Sequence, residues 1–115
     1  MTTVKIYAGT GRPIGRAIIQ EAHRRGLFVT AHLGRYAAQD AVADGIDGLE
    51  HIWSVFNYVI PEDRKGEPGH RGRLDLENPL CESLVAELAR QQVLVDPTLA
   101  VFRCAHTTTT PCPAG

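Results

Sequence analysis

Two histidines and a lysine are the residues of this 115-residue chain whose types and placement could do chemistry. His32 closes the apolar run Leu27-Phe28-Val29-Thr30-Ala31, His51 stands near the end of Ile46–Ile52, and Lys5 lies within Val4-Lys5-Ile6-Tyr7-Ala8. Each run reads as a strand, so three side chains on consecutive strands would be aimed toward one sheet edge or a barrel interior. Neutral imidazoles suit Zn, Fe or Mn at roughly 2.0–2.2 Å, and strands hold such ligands more rigidly than loops. An ammonium is no metal ligand. Lys5 becomes one only where burial lowers its pKa, so that the neutral amine adds carbon dioxide and presents a carbamate, an anionic bridge between two cations. The same residues also have a plainer use, the histidines as hydrogen-bonded structural groups and Lys5 as a strand-edge lysine reaching solvent.

The elements that would position these residues follow from patterning. Val4–Ala8 runs into Gly9-Thr10-Gly11, and a helix follows with Pro13 in its first turn. Its apolar stripe is Ile14, Ala17, Ile18 and Ala22, Arg24 and Arg25 suit its negative end, and Gly26 stops it. After the strand ending at His32, Gly34-Arg35 forms a loop, Tyr36 to Ala43 a short helix, Gly45 its stop, and Ile46 to Ile52 another strand. Trp53 to Asn78, with its polar GEPGHRGR stretch, reads as a long loop of the kind that serves as a lid. Asn78 as N-cap and Pro79 open a helix whose Leu80, Leu84, Val85 and Leu88 share a face, and Val93-Leu94-Val95 is a last strand. This alternation is that of parallel βαβ units. The near-continuous apolar strands predict an α/β fold with a parallel sheet buried on both faces. Patterning alone does not separate a small open sheet from half a barrel.

Composition narrows the function classes. With 12 Lys+Arg against 13 Asp+Glu the formal net charge is −1, and the basic residues are scattered. No field gathers nucleic acid or anionic lipid, so neither is an expected partner. No apolar run approaches the ~20 residues of a membrane span, and Met1-Thr2-Thr3-Val4-Lys5 lacks the apolar core of a leader, so a cytoplasmic location is expected. Cys81, Cys104 and Cys112 are odd in number without CxxC spacing, which predicts reduced thiols. Residues 1–103 are expected to form one domain, with 104–115 a disordered tail.

Further residues have two uses each. Arg35 and Tyr36, just beyond His32, and Trp53, Phe56 and Tyr58, beyond His51, could contact a small-molecule substrate or simply pack. Glu50 could orient a ligand, but strand alternation sets it on the face opposite His51, so a structural hydrogen bond is expected of it. His23 and His70 are read as solvated. Gly9-Thr10-Gly11 is too short for a phosphate-binding fingerprint.

Three segments, Val4-Lys5-Ile6-Tyr7, Glu21 to His32 (EAHRRGLFVTAH) and Ala43 to His51 (ADGIDGLEH), resemble consecutive parts of the amidohydrolase superfamily. The most similar branch is the imidazolonepropionase-like and Xaa-Pro dipeptidase-like enzymes, and Val93-Leu94-Val95-Asp96-Pro97-Thr98-Leu99 looks like that branch's strand seven. The resemblance implies a partial TIM (β/α)8 barrel covering strands four to seven. It makes Lys5 the carboxylated lysine and His32 and His51 metal ligands for one or two divalent ions, Zn foremost, that hydrolyse an amide, cyclic amide or dipeptide-like bond. The chain departs from that pattern in having no His-x-His pair, and it ends soon after the strand-seven match. A fragment that needs the missing barrel strands or self-associates is therefore expected. The alternatives are a catalytically silent fragment and a small α/β binding module with structural histidines.

Overall fold

The computed structural model describes residues 2–59 and 77–98. Four strands, β1 (Thr3–Ile6), β2 (Phe28–His32), β3 (Gly48–Glu50) and β4 (Leu94–Asp96), form one parallel sheet in the order β1-β2-β3-β4. Between them run α1 (Arg12–Arg24), α2 (Ala38–Ala43), α3 (Ile52–Phe56) with a 3-10 turn at Asn57–Val59, and α4 (Pro79–Arg90). The α/β reading with parallel βαβ units is what the structure has. The predicted loop from Trp53 instead opens with a helix, whose Val55 and Phe56 are buried. The rest of that loop, His70, Cys104, Cys112 and the predicted tail lie outside the described residues, as do the side chains of Trp53 and Tyr58.

The register sorts the sheet into two faces. Residues paired across parallel strands project the same way, so Ile6, Ala31, Leu49 and Val95 form one row. It packs under Ile19 and Ala22 of α1, Ala38, Ala41 and Val42 of α2, and Cys81, Leu84 and Leu88 of α4. On the other face Lys5 aligns with Thr30 and Gly48, and His32 with Glu50 and Asp96. Apart from Gly48 these residues are half-buried or exposed. The expectation of a sheet buried on both faces is therefore corrected: among the described residues, helices cover one. Strands in sequential order joined by crossovers of one hand place every helix on the same side. Thr30, in the apolar-looking β2 run, is one of the residues on the uncovered side.

Both long helices bury part of their predicted stripes, Ala22 in α1 and Leu84 and Leu88 in α4, but are rotated so that other residues join them. In α1 the buried residues are Gly15, Ile19 and Ala22, while Ile14 is 64% exposed. The cause is Tyr36, whose ring lies where a Cβ on residue 15 would be, so α1 docks through its one glycine. In α4, Cys81 replaces Leu80 and Val85 in the buried set. The helix ends match their sequence signals. Asn78 Oδ1 accepts the Leu80 N–H at 2.9 Å. Gly26, at φ +72°, ends α1 in the left-handed conformation that glycine adopts freely. Among the described residues no helix is long and apolar enough to cross a membrane.

Candidate functional site

At the C-terminal edge of the uncovered face, the ends of β1, β2 and β3 bring Lys5, His32, Glu50 and His51 together. The imidazoles of His32 and His51 meet edge to face with ring centroids 4.2 Å apart. Tyr7, just past β1, lies edge-on to His32 at 5.1 Å. Lys5 Nζ donates to Glu50 Oε2 at 2.6 Å, reaching across β2 from β1 to β3.

His51 reaches this site by leaving the strand. Strict alternation would send it into the helix layer beside Leu49, but its backbone is at φ 63° and ψ 96°, an unfavourable conformation for a residue with a Cβ. Bonds around it hold that corner. Its N–H donates to the Asp96 carbonyl at 2.8 Å, and its own carbonyl accepts from the Ser54 N–H and Ser54 hydroxyl, both at 2.9 Å. Its Nδ1 lies 2.9 Å from Thr98 Oγ1. Glu50 obeys the alternation and faces Lys5. The two neighbours therefore share one side, and Glu50, read from the sequence only as a structural hydrogen-bonding residue, is part of the charged site. The signal for it was simple: it is an acid one step past core residue Leu49, on the same face as Lys5.

The electrostatics give these residues distinct states. Burial, then the nearby His51 and Lys5, push His32 below its usual value of 6.5, so its ring is neutral with a lone pair available. Glu50 holds the Lys5 ammonium above its usual range, and Lys5 in turn holds Glu50 below the usual carboxylate range. The lowered Lys5 pKa that carbamate formation requires is thus reversed: its side chain is 46% exposed and already ion-paired.

The two substrate-contact expectations beyond β2 fare differently. Tyr36 is only 1% exposed, on the helix-covered side, with its hydroxyl donating to Asp44 Oδ2 at 2.5 Å. It is a core residue, and the expectation that it touches substrate is corrected. The reason is Gly15, whose missing side chain leaves a slot that the ring fills. Arg35 is exposed, and its N–H donates to the Ala8 carbonyl at 2.9 Å, tying the loops after β1 and β2 together.

As a metal donor set, the histidine pair fits and the lysine in its present state does not. One cation held at about 2.0–2.1 Å by two imidazole nitrogens needs two rings a few ångströms apart, and the His32 and His51 ring centroids are 4.2 Å apart. Among the described residues no three His, Cys, Asp or Glu side chains gather as a set that could hold a metal. Compared with models of protein families, with curated proteins and with solved structures, the chain matches none.

Proposed function

We propose that this chain is part of a metal-dependent hydrolase that cleaves a carbon to nitrogen bond in an amide, cyclic amide or dipeptide-like substrate. The observation that carries the reading is the His32–His51 pair at adjacent strand ends, on a face left free of helices among the described residues. The sequential parallel strands with helices on one face support a partial (β/α)8 barrel, where catalytic groups sit at the C-terminal strand ends. The resemblance of the segments around Lys5, His32 and His51 to the amidohydrolases supports the same assignment.

His32 and His51 would hold the ion, with Zn the first candidate. When bound, such an ion supplies a hydroxide near neutral pH and polarises the carbonyl. The residues of this chain prepare for it. Burial, then the nearby His51 and Lys5, lower the pKa of His32, so a proton competes less well for its nitrogen. Glu50, fixed as a carboxylate by Lys5, sets a negative charge beside a site that would take a cation. Tyr7, 64% exposed and edge-on to His32, lies where a substrate would approach that ring. The small-molecule substrate and the cytoplasmic setting belong to this reading.

A second reading keeps both histidines structural in a small α/β module. It is favoured by the Lys5–Glu50 ion pair and the His51–Thr98 hydrogen bond, neither of which needs an ion. Metal analysis after dialysis against trace zinc separates the two. The hydrolase reading expects near-stoichiometric zinc in the full chain, lost in His32→Ala and His51→Ala. Retention of no metal, with the fold intact, overturns it.

A further inference from the structure

Thr98 is absent from the sequence-level site, yet among the described residues its hydroxyl is the side-chain hydrogen-bond partner of a His51 ring nitrogen. Its Oγ1 lies 2.9 Å from His51 Nδ1 and 3.4 Å from the Asp96 carbonyl. A hydroxyl has one proton to give. If Thr98 gave it to Nδ1, the Asp96 contact would go unused. Both contacts are satisfied only when the hydroxyl donates to the Asp96 carbonyl and its oxygen accepts a proton from Nδ1. That carbonyl also accepts the His51 N–H, and with two lone pairs it can serve both donors.

From this we propose that Thr98 is a positioning residue that fixes the Nδ1–H tautomer of His51 and leaves Nε2 as its bare, ligand-competent nitrogen. The backbone points the same way. His51 and Thr98 lie 47 residues apart in the chain, and both are in the left-handed region, at φ 63° and 53°. For a β-branched residue such a conformation is an outlier that survives only when its surroundings enforce it. Here the Thr98 N–H donates to Asp96 Oδ1 at 3.3 Å, and the Ile52 N–H donates to the Pro97 carbonyl at 3.3 Å, so the end of β4 is laced to the His51 corner. A partner on the far nitrogen of a ligating histidine sets its tautomer and ring orientation, and its loss typically weakens metal binding about 10- to 100-fold.

The assignment rests on His51 being a metal ligand, and the test separates the two claims. In the metal-free full chain, long-range proton–nitrogen correlation at alkaline pH, where imidazoles are neutral, reads which ring nitrogen of His51 bears hydrogen. Nδ1–H is expected in the native chain and in Thr98→Ser. In Thr98→Val, which keeps the β-branch but not the hydroxyl, a shift to Nε2–H is expected. A native Nε2–H tautomer, or an unchanged tautomer in Thr98→Val, overturns the role of Thr98. Zinc titration of the same samples is expected to show weaker binding in Thr98→Val and recovery in Thr98→Ser. The expected tautomers without any zinc uptake would uphold the Thr98 assignment and reject the hydrolase reading. Circular dichroism on both variants confirms that the comparison is between folded chains.

Discussion

Lys5 on β1 and Glu50 on β3 form an ion pair at 2.6 Å although their strands are not neighbours: the contact passes over β2 at Thr30. The pair fixes the charge of both groups, and it bears on how a metal would enter this site.

Because Glu50 holds Lys5 as an ammonium, the metal-free chain is expected to form no Lys5 carbamate. Carbon-13 NMR in labelled bicarbonate checks this, with no carbamate signal expected in the native protein. Glu50→Gln removes the main cause of the raised value, so faster reaction of Lys5 with an amine-acylating reagent is expected in that variant. A carbamate signal from the native metal-free chain would show that the ion pair does not control the lysine.

His32 is expected to titrate below 6.5, since burial is the largest cause and the neighbouring His51 and Lys5 act in the same direction. The folded state then takes up the proton less readily than the unfolded chain. His32 contributes stability above pH 6.5, and that contribution is lost as the pH falls through the lower folded value. Proton NMR of the ring gives the midpoint, and thermal melts between pH 7 and 5 give the stability. Lys5→Met should raise the midpoint only part of the way, because burial remains. A native midpoint at or above 6.5 would contradict the burial argument.

Tyr36, Gly15 and Asp44 are expected to act on stability and not on the site. Tyr36→Phe removes one hydrogen bond to the Asp44 carboxylate and should cost about 1.5–3 kcal/mol. Gly15→Ala drives a methyl into the Tyr36 ring. Overpacking of that kind costs about 1–3 kcal/mol, more than the 0.5–1 kcal/mol or so that alanine returns in a helix. Asp44, whose side chain is 6% exposed, accepts from Arg12 as well as Tyr36, and chiefly Arg12 holds it below its usual value of 3.8. Its contribution is therefore present above pH 3.8 and lost as the pH falls through its folded value. Denaturant melts measure all three changes. Unchanged zinc uptake in Tyr36→Phe is expected, and its loss would return Tyr36 to the site.

The strands and their order of appearance could be read from the sequence because β-branched runs ending at turn signals depend on local chemistry. The gathering of Lys5 and His32 at one edge followed from those strand ends, whereas His51 joins them through a backbone corner that the strand pattern does not contain. What could not be read depends on contacts distant in sequence. The apolar stripe includes Ile14 and passes over Ile19, yet Ile19 is the buried one, because Tyr36 lodges against Gly15 and sets the face that α1 docks. Nothing in the run Gly48-Leu49-Glu50-His51 announces a left-handed His51, since that conformation is held by Asp96 and Thr98 far along the chain. Glu50 was set opposite His51 by a rule that His51 itself breaks.

The most direct test of the account is whether His32 and His51 take up one cation together. Imidazole carbon–proton correlations recorded during zinc titration report each histidine separately, with His23, engaged by Asp47 at 2.7 Å, as an internal reference. Joint ligation predicts that the His32 and His51 resonances move in parallel and saturate at a common zinc ratio while His23 stays in place. His32 and His51 resonances that ignore zinc, or that respond at unrelated concentrations, would contradict it.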